Sequence, residues 1–141
     1  MKKKVNWDQD FNLFLHKHAN RGFEWGSWDC CIFSNELIKA ITGESVIPKS
    51  WKWKNEKEAM ASIKKYGKGK GLAHAIDLAT KNIKGIKEIG KAFVTKGDLV
   101  VYKEESELCG IHDGYAVLTP TDDAIGVKQD VNIVKVWRID G

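Results

Sequence analysis

The chain has 141 residues, enough for one domain with a hydrophobic core that needs no disulfide or metal to hold it. Its formal charge is +4, carried almost wholly by lysine, because Arg21 and Arg138 are the two arginines. That composition argues against sequence-specific nucleic-acid reading, which leans on bidentate arginine contacts, and leaves a solvated lysine surface.

Met1-Lys2-Lys3-Lys4 is followed by Asp8 and Asp10 rather than by an apolar run, so no secretion signal is expected. No stretch has the length of a membrane span. Three cysteines, two of them adjacent, make no disulfide framework, and cytosolic synthesis with reduced thiols is the expectation.

A first helix is predicted over residues 8–19, with Phe11, Phe14, Leu15 and His18 along one face. Residues 23–28 form a loop that runs into a second helix over 30–42. Asp29 sits there as N-cap and Gly43 as the left-handed stop. Cys30, Phe33, Leu37 and Ile41 share a stripe of that helix. A third helix is predicted from Asn55 to Tyr66, where Asn55 and Glu58 have capping-box spacing. Gly67-Lys68-Gly69-Lys70-Gly71 breaks the chain before a fourth helix over 72–82. Residues 83–93 read equally as helix or strand.

Beyond the turn signal Lys96-Gly97-Asp98 the pattern changes. Leu99-Val100-Val101-Tyr102 reads as a buried strand, and 108–112 with 115–119 as a hairpin around Asp113-Gly114. Two more short strands are predicted over 124–128 and 133–139. Helices over residues 1–95 followed by antiparallel strands over 96–141 predict a single α+β domain.

The residue with chemical promise is Cys30. A thiol in the first turn of a helix lies at the positive end of the dipole, which favours the thiolate nucleophile. Asp29 caps the same turn and opposes that charge. Trp25 and Trp28 flank the cysteine, and Trp51 and Trp53 share one face of an extended segment, so these four tryptophans are candidates for a binding groove. Cys30, Cys31 and Cys109 lack the paired spacing of a zinc site, and no metal or cofactor is expected. The Thr-Pro-Thr-Asp-Asp run at 119–123 reads as a turn.

A cysteine opening a helix ahead of an antiparallel sheet resembles the papain-like cysteine peptidases, and more closely the NlpC-type cell-wall branch. Asp29-Cys30, Gly97-Asp98-Leu99-Val100 and Gly110-Ile111-His112-Asp113-Gly114 are similar to that branch's successive motifs. The chain resembles still more a compact phage family of this fold found among tail genes. The similar segments are Phe23-Glu24-Trp25-Gly26-Ser27-Trp28-Asp29-Cys30, Thr42-Gly43 and Val136-Trp137-Arg138-Ile139. The resemblance implies a papain-like, NlpC-type fold with N-terminal helices packed on a small sheet or half-barrel.

One position departs from that pattern. Aligning Gly110-Ile111 with the family's glycine and isoleucine puts Leu108 where the peptidase keeps its catalytic histidine. Leucine takes no proton. His112 is the substitute offered by the sequence, yet four residues of strand displace it by roughly 13 Å. The expectation is therefore a phage tail or tail-assembly component whose papain-like body binds another tail protein or a peptidoglycan peptide. It would be made in the host cytoplasm and carried in the virion tail. The alternatives are an active cysteine amidase or endopeptidase with Cys30 as nucleophile and His112 as base, and a host-directed binding protein or inhibitor.

Overall fold

The computed structural model describes residues 1–140. Four helices come first: α1 (Trp7–His18), α2 (Cys30–Thr42), α3 (Glu56–Tyr66) and α4 (Leu72–Thr80). Six strands follow: β1 (Ile86–Ile89), β2 (Leu99–Lys103), β3 (Glu107–His112), β4 (Val117–Pro120), β5 (Ile125–Lys128) and β6 (Asn132–Ile139). They form one antiparallel sheet in the order β1-β6-β2-β3-β4-β5, so the fold is α+β.

Local chemistry sets the helix ends. Asp29 accepts from the amides of Cys31 and Ile32 at the start of α2, and Gly43 closes it at φ 87° with its N–H on the Lys39 carbonyl. Asn55 caps α3 through the Glu58 amide at 2.9 Å. The Glu58 carboxylate returns to the Lys54 amide, one residue earlier than a capping box requires. The ambiguous segment contains β1, followed by a 3-10 turn over Lys91–Phe93. Its strand character comes from pairing Ile86 with Ile139 and Ile89 with Val136. The strand region therefore begins before residue 96.

The β3–β4 hairpin pairs His112 with Val117, and Asp113 N–H donates to the Ala116 carbonyl at 3.0 Å. The turn is thus centred on Gly114 and Tyr115, one residue later than the Asp113-Gly114 signal suggests. Asp113 lends its carboxylate to the Tyr115 and Ala116 amides, each at 2.8 Å.

Alternation divides the sheet into two faces. Leu99, Val101, Cys109, Ile111, Leu118, Trp137 and Ile139 join the main core with Phe11, Phe33, Leu37, Ile38, Ile41 and Ile76 from the helices. Val100, Tyr102, Val117 and Val136 point the other way, into a smaller cluster covered by Ile89, Val94, Leu108, Val131 and Ile133. Each fully buried aliphatic side chain contributes about 1.5–3 kcal/mol relative to exposure. The larger core presses α2 against β3 and β4.

Two resemblance-bearing motifs meet at one buried ion pair. Asp98, fully buried, accepts from Arg138 Nε at 3.1 Å and Nη2 at 3.0 Å, and from the Thr95 amide at 2.8 Å. The Gly97-Asp98 turn and the Trp137-Arg138 segment are parts of a single clamp. Of the 119–123 run, Thr119 and Pro120 close β4 and the turn begins at Thr121, whose amide donates to the Ala124 carbonyl at 2.8 Å.

Candidate functional site

The loop before α2 is folded tightly on itself: the Trp28 amide donates to the Glu24 carbonyl at 2.8 Å. Gly26 has φ +83°, and a Cβ placed there would lie 2.3 Å from the Trp53 carbonyl oxygen, so only glycine fits against that neighbouring chain. This contact brings Trp53 to the helix start. Asp29, 1% exposed, then accepts four hydrogen bonds. Oδ1 takes Cys31 N–H at 3.1 Å and Ile32 N–H at 3.0 Å; Oδ2 takes Gly26 N–H at 2.9 Å and Trp53 Nε1–H at 2.7 Å. Burial raises the Asp29 pKa, and the hydrogen bonds from Ile32, Trp53 and Gly26 oppose that rise. Asp29 joins loop, helix and Trp53 rather than acting on Cys30 as an acid or base.

Cys30 is half-buried in the wall of a cleft of about 540 Å³. Trp25 and Trp53 stand beside it, α3 contributes Ala59, Met60 and Ile63, and Leu72 and Leu108 complete the apolar lining. Lys64, Lys70, Lys103, Glu56, Glu105 and Glu107 give the cleft its charges. No histidine lines it among the described residues.

His112 is not placed as a base for Cys30. Cys109 and Ile111 point toward the helices, so strand alternation turns Leu108, Gly110 and His112 to the opposite face. His112 also lies three residues along β3 from Cys109, about 10 Å away by strand rise. It is buried, and its Nδ1 accepts the Gly114 amide at 3.0 Å. Desolvation lowers its pKa against the nearby carboxylates of Asp113 and Asp98. Its place is in the hairpin. His18 packs its ring 4.9 Å from Trp28 and 4.6 Å from Phe14.

The four tryptophans separate. Trp25 and Trp53 line the cleft. Trp28 is 1% exposed and stacks on Phe14, with the Arg21 guanidinium 4.1 Å over its ring, so it belongs to the core. Trp51 is also buried and stacks on Tyr66 at 5.6 Å, away from the cysteine cleft. Trp51 N–H donates to the Pro48 carbonyl at 3.0 Å in a turn, yet the two rings stay neighbours with centroids 6.4 Å apart, Trp51 reaching on to Tyr66 while Trp53 turns its indole N–H to Asp29.

The residue of β3 that meets the helix start is Cys109. The sulfurs of Cys30, Cys31 and Cys109 lie within 4.8 Å of one another, with Cys109 to Cys31 at 3.7 Å and Ser34 Oγ to Cys109 Sγ at 3.7 Å. Hydrogen bonding from Cys109, then Cys31, holds the Cys30 thiol well below its ordinary pKa against the cost of burial. The Cys109 thiol is raised by its bond to Cys30, and the Cys31 thiol by its bond to Cys109. Sequence spacing could not reveal this group, because Cys109 arrives from 78 residues away. The available signal was strand alternation, which puts Cys109 on the same inward face as Ile111.

The chemistry follows from these contacts. A thiolate can attack, but amide cleavage also needs a group to protonate the leaving amine. No imidazole of the described residues is there, and the Cys31 and Ile32 amides that could bind an oxyanion already hold Asp29. A family described as "Domain of unknown function (DUF6950)" matches residues 2–139. A search of curated proteins finds no match.

Proposed function

The chain belongs to the DUF6950 family, and we propose that it is a phage tail or tail-assembly module of papain-like, NlpC-type build that binds a peptidoglycan peptide in the Cys30 cleft without cutting it. The observation that carries this reading is the cleft itself: a half-buried cysteine at a helix start, walled by Trp25 and Trp53, with Cys109 as the β3 side chain that meets it and no histidine among the described lining residues. Indole and aliphatic walls suit the methyl and methylene groups of a short peptide. Rim lysines Lys64, Lys70 and Lys103 suit its carboxylates, while Glu56, Glu105 and Glu107 suit an amino group. The phage-tail part of the proposal rests on the motif resemblance alone.

A second reading is a cysteine amidase, supported by the lowered pKa of Cys30. The lack of an imidazole at the cleft among the described residues weighs more, since that group serves as both base and acid in thiol-dependent amide hydrolysis. The two separate in one assay with purified peptidoglycan fragments. Binding followed by tryptophan fluorescence, weakened in Trp25→Ala and unchanged in Cys30→Ala, supports the binding module. Absence of saturable binding overturns it.

A further inference from the structure

The cysteine trio has a geometry that core packing does not require. We infer that Cys30, Cys31 and Cys109 form a three-thiolate site for a thiophilic divalent cation, Zn²⁺ first, with the fourth coordination position open to the cleft.

Zn–S bonds of about 2.3 Å set tetrahedral sulfur–sulfur edges at about 3.8 Å. The Cys31–Cys109 separation is 3.7 Å, and the other two separations need no more than a rotamer adjustment to close from within 4.8 Å. Two ligands come from the first turn of α2 and one from β3, so the site is fastened to two rigid elements. Cys31 and Cys109 are 3% and 0% exposed, which leaves the ion shielded on the core side. Both Cys30 and Cys31 border the cleft, which leaves its other side accessible to water or a ligand donor. Three protein ligands with one open position is the coordination of a reactive zinc rather than of a closed structural one.

The charge balance is favourable. Binding releases to solvent whatever protons the three thiols still carry and replaces the hydrated dication with a trithiolate complex of charge −1. The N-terminal end of α2 offsets that charge, and the adjacent Asp29 carboxylate, which opposes it, is turned to four N–H donors of its own. Ser34 Oγ hydrogen-bonds the Cys109 sulfur and steadies it as a ligand. The inference is independent of the peptide reading, since an ion can bind whether or not a peptide does.

The test is titration of the reduced full-length chain with Co²⁺, read by absorbance, followed by displacement with Zn²⁺ and native mass spectrometry. The expected result is one ion per chain, a thiolate-to-cobalt charge-transfer band and intense visible bands of tetrahedral cobalt, all lost on adding Zn²⁺. Cys30→Ser changes a half-buried thiol and keeps the fold. It should weaken Co²⁺ binding more than about tenfold, since even outer partners of metal ligands cost that much. Cys109→Ser should do the same where circular dichroism shows it folded, and Cys30→Ser decides alone where it does not. Overturning results are the absence of the charge-transfer band in the wild type, an ion shared between two chains, or unchanged affinity in Cys30→Ser.

Discussion

Replacing Trp53 with phenylalanine tests whether the Asp29 carboxylate assembles the site. An apolar six-membered ring stays, the buried five-membered ring is lost, and the Nε1–H donor at 2.7 Å from Oδ2 is gone with it. Asp29 is 1% exposed, so solvent cannot supply a replacement without opening the loop. A hydrogen bond to a buried charge contributes about 1.5–3 kcal/mol, which puts the cost of Trp53→Phe near 2 kcal/mol. Asp29→Ala removes the cap and leaves the Gly26, Trp53, Cys31 and Ile32 donors without their acceptor, at about 3–4 kcal/mol. The indole N–H loses its value once its acceptor is absent, so in the Asp29→Ala background Trp53→Phe should cost about 1.5 kcal/mol less than alone. Urea unfolding followed by far-ultraviolet circular dichroism measures all four corners of the cycle. A Trp53→Phe cost below about 0.5 kcal/mol, or one equal in both backgrounds, refutes the bridging role.

Arg138→Met strands the fully buried Asp98 carboxylate and should destabilise by about 3–5 kcal/mol, with Arg138→Lys recovering only part because lysine cannot form the two-pronged contact; denaturant midpoints check both. The lowered pKa of His112 favours its neutral form in the fold, so its contribution is present above the unfolded value and is lost as pH falls through that value toward the folded one. Asp98 and Asp113 face the ring and moderate the effect. Melting temperature should therefore drop on acidification below about pH 6.5, more steeply in the wild type than in His112→Gln, and equal slopes would exclude the Gly114 hydrogen bond as the cause. Alkylation of the metal-free, folded chain with iodoacetamide should modify Cys30 first, with Cys31 and Cys109 labelled only on unfolding, as peptide mass mapping can determine; prior labelling of Cys109 would contradict its burial.

Much of the fold was legible because its determinants are local. Asp29 and Gly43 bracket α2, Asn55 starts α3, and apolar runs from Leu99 onward mark five of the six strands. The strand β1 was not legible, since Ile86–Ile89 is an edge segment whose partner is β6, the final strand. The site was half legible. Cys30 at a capped helix start and Trp25 beside it follow from neighbouring residues, and Trp53 reaches them through its indole and Gly26. Trp28 was misplaced as a groove residue because adjacency to Cys30 does not say which way a loop side chain turns. Here it turns into Phe14 and Phe33. The meeting of Cys109 with Cys30 and Cys31 depends on α2 lying across β3, a tertiary fact that spacing along the chain does not encode.

The most direct measurement of the central claim is incubation of the purified chain with peptidoglycan and its soluble stem-peptide fragments, quantifying bound ligand and newly released amino groups together. A cleft with a cysteine and no histidine among the described residues predicts saturable binding and no release above the level given by Cys30→Ala. Release of amino groups that disappears in Cys30→Ala would contradict it.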